Sequence, residues 1–265
     1  MLQPDLPVPA QVTRAAEAAL EGRVGCVVLR ARGDDRRLIV AGRQHALAAH
    51  PLGSIAKIPA ILALSGSPGP LTWTCTGPQG QPPCWTRHGR VDTARLLAHS
   101  CSAAAALLGE SVGRAGLLAS LERSGFGQPT GAGLGPEAAG TIPGEAAPGQ
   151  LASGRAWGLS ATPLQVARMM QQLADAEGKA RREPLVTVLH GLRLGVREGT
   201  AAPLDKLGYV AGKTGTAPAP SGGRDGWFAG WTHRWVVVAW VRGGAGYGAA
   251  RDVAARVARK LGTGS

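Results

Sequence analysis

The sequence predicts an α+β fold in which a helical region is inserted into a sheet. Three observations support this prediction. Strand patterns lie near the start of the chain, helical patterns fill its middle, and three strand patterns followed by a helix close it. The chain has 265 residues, 44% of them hydrophobic and 17% charged, which is typical of a globular protein with a sizeable core.

The first predicted elements are two strands, Val24–Arg30 and Arg37–Ala41, joined by a turn over Ala31–Arg36. Both strands are rich in β-branched and other apolar residues, and the turn holds Gly and Asp. A helix is predicted from Ser54 onward. The segment Thr72–Gly89 is crowded with Pro, Gly and polar residues, so we expect it to be irregular.

The middle of the chain predicts helices at Asp92–Ala98 and Ala103–Leu121, which are rich in Ala and Leu. Gly125–Gly154 is crowded with Gly and Pro and predicts a long loop, and loops of that length in compact domains are usually functional. Thr162-Pro163-Leu164-Gln165 then begins a helix, with Thr as cap, Pro in the first turn and Gln completing a capping box.

The last elements are three predicted strands followed by a helix. The strands are Tyr209–Thr216, Gly226–Thr232 and Trp235–Val241, and the helix is Ala250–Leu261. Apolar residues recur on one face of the helix and Arg residues lie off that face.

Charge and hydropathy exclude several classes of protein. The 29 Lys and Arg outnumber the 17 Asp and Glu, for a net charge of +12, but the arginines are scattered. No charge run, RNA-binding aromatic motif or zinc-finger spacing is present, so we expect no nucleic-acid partner. The basic surface favours solubility, or attraction to an anionic polymer or a membrane surface.

No membrane span or export signal is visible in the sequence. The longest apolar runs, Ile58–Leu64 and Trp235–Val241, are seven residues each, whereas a spanning helix needs about 20. The first ten residues lack the charged and apolar regions of a signal peptide. The protein is therefore cytoplasmic, or an export segment lies outside this chain.

The first motif with chemical potential is Ser54-Ile55-Ala56-Lys57. Residues three apart on a helix share a face, so the hydroxyl and the amine are expected to meet. A neutral Lys can remove the proton that makes a Ser hydroxyl a poor nucleophile. Apolar neighbours such as Ile58 favour that neutral form. Taken alone, such a pair is more often a helix cap beside a solvated Lys.

Two further motifs follow in order. Ser100-Cys101-Ser102 lies between two helical patterns, where a turn or cap is the ordinary interpretation. Lys213-Thr214-Gly215-Thr216 lies in a predicted strand, where Gly permits a ligand to approach the backbone closely. The spacing of a phosphate-binding loop is absent.

In this order, the three motifs resemble the Ser-x-x-Lys, Ser-x-Asn and Lys-Thr-Gly set of penicillin-binding proteins and β-lactamases. Other segments resemble that family too and extend the similarity over roughly residues 24–262: Gly135–Gly140, Thr162–Ala167, Glu198–Ala201 and Gly226–Trp231. The resemblance implies an antiparallel sheet flanked by helices with an inserted all-helical lobe. It implies one domain over 1–265, with the sheet part at about 22–55 and 185–265 and the helical lobe at about 56–184.

The resemblance also implies roles for the motif residues. Ser54 would be the nucleophile, Lys57 the proton acceptor, and Ser100 the relay to the leaving group. Ser102, Lys213, Thr214, Gly215 and Thr216 would bind a substrate, the stem peptide of peptidoglycan that ends in D-Ala-D-Ala. β-Lactam antibiotics would acylate Ser54. The family needs no cofactor, and cell-wall assembly proteins or a membrane surface are its expected partners.

One departure from the family keeps alternatives open. Ser102 stands where the family usually has Asn, and a hydroxyl cannot offer both an amide donor and a carbonyl acceptor. The expected activity is transpeptidation or carboxypeptidation outside the cytoplasm, in the periplasm or cell envelope. A class D-type β-lactamase is the first alternative. A non-catalytic β-lactam sensor or cell-wall-peptide-binding module is the second.

Two of the four cysteines, with one histidine, raise a separate question. Cys75 and Cys84 lie in the Pro- and Gly-rich segment and form a disulfide if the protein is exported. With His88 nearby they would instead hold a metal, which is the weaker alternative. Two free thiols are the third interpretation.

Overall fold

The computed structural model describes residues 9–34, 37–64, 71–181, 183–219, 222–244 and 246–262. Asp35 and Arg36 of the predicted turn lie outside the described residues, as do both ends of the predicted domain.

The described helices and strands follow one another along the chain with short connections. The helices are α1 (Pro9–Ala19), α2 (Arg43–Leu47), α3 (Lys57–Leu62), α4 (Thr93–Ala98), α5 (Ser102–Val112), α6 (Arg114–Arg123), α7 (Pro148–Ser153), α8 (Pro163–Asp175), α9 (Leu185–Arg197) and α10 (Tyr247–Leu261). The strands are β1 (Gly25–Ala31), β2 (Leu38–Ala41), β3 (His50–Pro51), β4 (Thr72–Cys75), β5 (Gly89–Asp92), β6 (Ser160–Ala161), β7 (Tyr209–Pro218), β8 (Arg224–Thr232) and β9 (Trp235–Val241).

Five strands from the two ends of the chain form one antiparallel sheet in the order β2-β1-β9-β8-β7. Val27 of β1 lies opposite Ala239 of β9, and Gly215 of β7 lies opposite Trp227 of β8. Every residue of β9 is buried. A strand that is buried throughout is covered on both faces, so the sheet is the middle layer of the molecule.

Alternation along the strands divides the core into two clusters. On one face, Val27, Phe228 and Val237 pack with residues of α1 and α10. On the other face, Val28, Trp231 and Trp240 pack with α8 and the helical region. Because strand side chains alternate, each strand contributes to both clusters.

The sheet and the main helices confirm the α+β prediction. All five predicted strands are present with shifts of at most a few residues at their ends, and α8 begins with the predicted capping box, in which Thr162 and Gln165 bond to each other's backbone. Thr162 is fully buried, so the cap satisfies backbone groups that water cannot reach.

Three predictions for the middle of the chain were wrong. Thr72–Gly89 is not irregular throughout, because β4 and β5 pair at its ends. The single helix predicted over Ala103–Leu121 is two helices, broken at Gly113, whose φ of 78° leaves the helical region. The long loop Gly125–Gly154 contains α7, which begins at a Pro and ends at a Gly in the left-handed region.

Two long helices were not predicted. They are α1 (Pro9–Ala19) and α9 (Leu185–Arg197), for which the sequence patterns predicted no element. α9 packs on α4 and on β7, and it therefore holds one wall of the region between the sheet and the helices. No helix within the described ranges is long and apolar enough to cross a membrane.

Candidate active site

Ser54 and Lys57 lie at the junction between a short 3₁₀ turn, Gly53–Ala56, and α3. The Lys57 side chain is fully buried. Its Nζ donates a hydrogen bond to Ser54 Oγ at 2.7 Å and another to the backbone carbonyl of Ser153 at 3.1 Å. It also lies 3.4 Å from Ser102 Oγ, a longer contact. The Ser54 hydroxyl and the Lys57 amine are therefore in contact, as the sequence predicted.

The environment of Lys57 favours the neutral amine. Its pKa is lowered to about 7, chiefly by burial and also by the positive charge of Arg155, while Cys101 and Cys84 act in the opposite direction. A lysine with a pKa near neutrality can accept a proton at physiological pH, which a solvated lysine cannot. This arrangement equips Lys57 to activate Ser54.

Ser100 occupies a position that normally belongs to glycine. It follows α4, with its amide bonded to the carbonyl of Leu97 and the next amide bonded to the carbonyl of Leu96. This is the Schellman pattern, in which the residue after the cap takes a left-handed conformation. Its φ is 57°, the only positive value for a non-glycine residue in the described ranges. The fold thus accepts backbone strain to keep a hydroxyl there.

Lys213 lies on β7 and points toward Ser100. Its Nζ donates to Ser100 Oγ at 2.9 Å and to the carbonyl of Thr214 at 2.6 Å, and it is 1% exposed. Burial and the nearby charge of Lys57 lower the pKa of Lys213 well below its usual value. An anionic ligand beside it would reverse this effect, because an opposite charge favours the ammonium form.

The hydroxyls that follow Lys213 make contacts within the protein. The Thr214 hydroxyl is hydrogen bonded to the Thr200 hydroxyl. The Thr216 hydroxyl accepts a hydrogen bond from the backbone amide of Tyr247 at 3.0 Å and keeps its own proton to donate. Gly215 lies against the next strand, where an added Cβ would be 3.1 Å from the Cβ of Trp227.

Gly53 brings the turn of Ser54 directly against β7. Its φ is 54°, and a Cβ built there would lie 2.5 Å from the carbonyl oxygen of Thr216. A side chain at this position would collide with the strand, so glycine allows the closest approach of the two backbones. The backbone around Ser54 and that around Thr216 consequently border the same space.

The structure joins five of the eight predicted site residues through two sets of contacts. Lys57 links Ser54 to Ser102, and Lys213 contacts Ser100. Thr214, Gly215 and Thr216 follow Lys213 on β7. The hydroxyls of the two Thr residues contact Thr200 and the amide of Tyr247 instead of the other site residues.

Two contributors were missed by sequence reasoning: the carbonyl of Ser153 and the charge of Arg155. Ser153 is the last residue of α7 and lies inside the segment predicted as a loop, and Arg155 directly follows that segment. Helices often begin with Pro and are followed by Gly, and Pro148 and Gly154 have this spacing. This was the signal in the sequence that could have predicted α7.

The structure also locates the cysteines. All four are free thiols, so the disulfide considered for Cys75 and Cys84 is not formed. Cys75 lies at the end of β4, and Cys84 and His88 lie between β4 and β5. Cys75 Sγ is 3.5 Å from His88 Nδ1, and Cys84 Sγ is 3.6 Å from the same atom.

Comparison with protein families gives one match over most of the chain. The model described as the penicillin binding protein transpeptidase domain matches residues 72–262. The matched stretch includes the motifs at Ser100 and Lys213 and begins after the motif at Ser54. No curated protein sequence gives a significant match.

Solved structures share the fold at low sequence identity. Penicillin-binding protein 2 of Pseudomonas aeruginosa, complexed with WCK 5153, is 22% identical with a TM-score of 0.76, covering 95% of this chain and 76% of that one. The D,D-transpeptidase domain of a peptidoglycan glycosyltransferase from Eggerthella lenta is 19% identical with a TM-score of 0.75, covering 94% and 80%. Penicillin-binding protein 3 of Mycobacterium tuberculosis, complexed with aztreonam, is 22% identical with a TM-score of 0.71, covering 95% and 75%.

Proposed function

This chain belongs to the penicillin-binding protein transpeptidase domain family, and we propose that it transfers acyl groups through a covalent intermediate on Ser54. The proposed donor is a peptidoglycan stem peptide ending in D-Ala-D-Ala. β-Lactams, which imitate that end of the peptide, acylate the same hydroxyl. The observation that carries the proposal is the fully buried Lys57 amine, 2.7 Å from Ser54 Oγ and with a pKa lowered to about 7.

Acylation begins when the neutral Lys57 amine takes the proton of Ser54 and Ser54 Oγ attacks the penultimate carbonyl carbon. The carbonyl π electrons move to oxygen, and the tetrahedral oxyanion forms. We assign its stabilisation to the backbone N–H groups of Ser54 and Thr216, because Gly53 brings these two segments together. The C–N bond to the terminal D-Ala then breaks, leaving an ester on Ser54.

The departing D-Ala needs a proton on its amine, and Ser100 is placed to supply it. Ser100 Oγ is hydrogen bonded to Lys213, and two residues further along the chain Ser102 faces Lys57. In this proposal, Ser100 gives its proton to the leaving amine and regains one that originated on Ser54, through Lys57. A positioned proton donor of this kind contributes about 100- to 10,000-fold in rate.

The terminal carboxylate of the donor is assigned to Lys213. The ammonium form of Lys213 is disfavoured by burial; the incoming carboxylate favours uptake of a proton from solvent and then accepts a charge-assisted hydrogen bond. Thr216 retains a proton to donate to the same carboxylate. Thr214 contributes only by exchanging its bond to Thr200 for one to the substrate.

Deacylation decides the product. An amine of a second stem peptide attacking the ester gives a cross-link, and water gives a shortened peptide, so transpeptidase and carboxypeptidase share every earlier step. Transpeptidase domains of this family act on peptidoglycan outside the cytoplasm. We place this chain in the same compartment, with cell-wall assembly proteins or a membrane surface as further partners.

Labelling with a fluorescent penicillin tests the proposal. We expect a covalent adduct on the wild-type protein that Ser54→Ala abolishes and that Ser111→Ala retains, since Ser111 is an exposed serine on α5. If the wild-type protein forms no adduct, the proposed acyl-transfer activity is contradicted. Rapid loss of the adduct with release of hydrolysed penicillin indicates the β-lactamase alternative. A persistent adduct without action on D-Ala-D-Ala peptides indicates the sensor.

A further inference from the structure

Four side chains with metal-binding atoms converge at the second motif, and none of the four is among the residues assigned to acyl transfer. Their ligand atoms all lie within 4.8 Å of one another, and they come from β4, the β4–β5 connection and the start of α5: Cys75, Cys84, His88 and Cys101. We propose a structural Zn²⁺ site made by these four residues. The metal site itself is independent of the proposed function.

Three of the six distances between these atoms are close to those of a tetrahedral zinc site, and the others are at most 4.8 Å. With Zn–S near 2.3 Å and Zn–N near 2.05 Å, ideal tetrahedral ligands are about 3.8 Å apart for two sulphurs and about 3.6 Å for sulphur and nitrogen. The structure has 3.5 Å for Cys75 Sγ to His88 Nδ1, 3.6 Å for Cys84 Sγ to the same nitrogen, and 3.9 Å between the Cys84 and Cys101 sulphurs.

The chemistry of the donors selects the metal. Three thiolates and one imidazole in a closed set of four are the ligands of structural zinc, whereas hard cations prefer oxygen. The three Cys side chains are at most 3% exposed, and all are free thiols. On binding, each thiol transfers its proton to solvent, and the metal gains four bonds from Nδ1 and three sulphurs without any change of oxidation state.

Backbone amides already donate to two of the three sulphurs. The amide of Ser102 donates to Cys84 Sγ at 3.3 Å, and the amide of Ala104 donates to Cys101 Sγ at 3.5 Å. Such outer contacts hold the ligands in place and stabilise negative charge on sulphur. A sulphur at the start of α5 also receives the favourable field of the helix N-terminus.

The position of Cys101 links the metal to the second motif. Cys101 lies between Ser100, which bonds Lys213 at 2.9 Å, and Ser102, which is 3.4 Å from Lys57. A metal that binds Cys101 also binds two residues of the β4–β5 connection, so it fixes this loop to the rest of the helical region. The ligands are therefore positioning residues for Ser100 and Ser102; this consequence rests on the proposed function.

The direct test is the metal content of the full chain, purified with reductant after growth with added zinc and with any affinity tag removed. We expect one zinc per chain by elemental analysis, and Co²⁺ in its place should give the intense visible bands of tetrahedral thiolate coordination. Cys84→Ala and His88→Ala should lose the metal. His88→Cys should keep it as a four-thiolate site, and Cys26→Ala, a buried cysteine outside the cluster, should keep it as well.

Removing the metal should slow acylation by penicillin roughly tenfold or more, and adding zinc back should restore the rate. Wild-type protein that contains no zinc and takes up no Co²⁺ overturns the metal site, whatever the variants do. So does mass spectrometry that finds a Cys84–Cys101 disulfide in unreduced protein that takes up no metal. An unchanged acylation rate after complete metal removal overturns the positioning role. Zinc without any acylation leaves the site standing and contradicts the proposed function instead.

Discussion

Lys57 has the property that general-base catalysis requires, and that property comes from its surroundings. Its amine is surrounded by the Ser54 and Ser102 hydroxyls and the Ser153 carbonyl, without a carboxylate among these hydrogen-bond partners. Burial without such a counter-ion disfavours the ammonium form, and the pKa falls to about 7. The sequence indicated this through its apolar flanks, and the charge of Arg155 could not be foreseen because it comes from another element.

The pH dependence of acylation follows from this pKa. Only the neutral amine accepts a proton, so the second-order rate of penicillin acylation should rise with pH through about 7 and level off above it. Arg155→Gln removes a positive charge that disfavours the ammonium form, so the midpoint should move up by roughly half a pH unit.

The matched control for this measurement is Arg259→Gln, which removes an exposed arginine of α10 and should leave the profile in place. Stopped-flow or quenched acylation between pH 5.5 and about 9 gives the midpoints. A rate that is independent of pH across this range contradicts the role of Lys57 as base.

Ser100 gives a second prediction at the scale of one residue. Ser100→Ala and Ser100→Gly both remove the hydroxyl and should lower acylation by about 100-fold or more. They differ in the backbone, since only glycine accepts a φ of 57° without strain. Glycine avoids the strain of the left-handed backbone, but it also makes the unfolded chain more flexible, which lowers stability. The first effect should be the larger, so Ser100→Gly should be more stable than Ser100→Ala by up to about 1 kcal/mol.

Urea unfolding of the two Ser100 variants measures that difference directly. Equal stability would show that the left-handed backbone is unstrained at this position. Near wild-type acylation by either variant would remove Ser100 from the mechanism.

At the scale of elements, the site depends on how closely the 3₁₀ turn of Ser54 packs against β7. Gly53→Ala places a methyl 2.5 Å from the Thr216 carbonyl and should push the turn away from the strand. We expect acylation to fall at least about tenfold and stability to fall by roughly 1–3 kcal/mol.

Gly22→Ala is the matched control for this change, because Gly22 has a similar φ of 73° and an added Cβ would meet nothing within 4 Å. Gly22→Ala should lose only the stability that a side chain at positive φ costs, and it should leave the acylation rate unchanged. If both variants lose acylation equally, the close approach of turn and strand is not what organises the site.

The elements also show where sequence reasoning works and where it fails. Periodicity located the sheet strands and α8, because their apolar residues face a core in a regular pattern. It failed between Gly125 and Gly154, where α7 is only six residues long and the Gly and Pro content of the segment is typical of a loop. The cysteine cluster was only partly foreseen, because Cys101 reaches it from another element, 13 residues beyond His88.

At the scale of the whole molecule, the lysines divide into two that belong to the candidate site and three that lie on the surface. Of the five lysines, Lys57 and Lys213 are buried, while Lys179, Lys206 and Lys260 are exposed. Burying an amine is costly unless a bound partner or a shifted pKa compensates. Lys57 and Lys213 both contact serine hydroxyls between the sheet and the helical region, and a catalytic role explains their burial best. The net charge comes mainly from the scattered arginines.

The measurement that tests the central claim most directly is the site of acylation in the intact protein. Benzylpenicillin treatment followed by mass spectrometry should add the mass of one penicilloyl group per chain, and peptide mapping should place it on Ser54. Because Ser54 precedes the stretch matched by the family model, its role rests on the geometry described above. Modification of another residue, or no stable or transient adduct at all, would contradict the account.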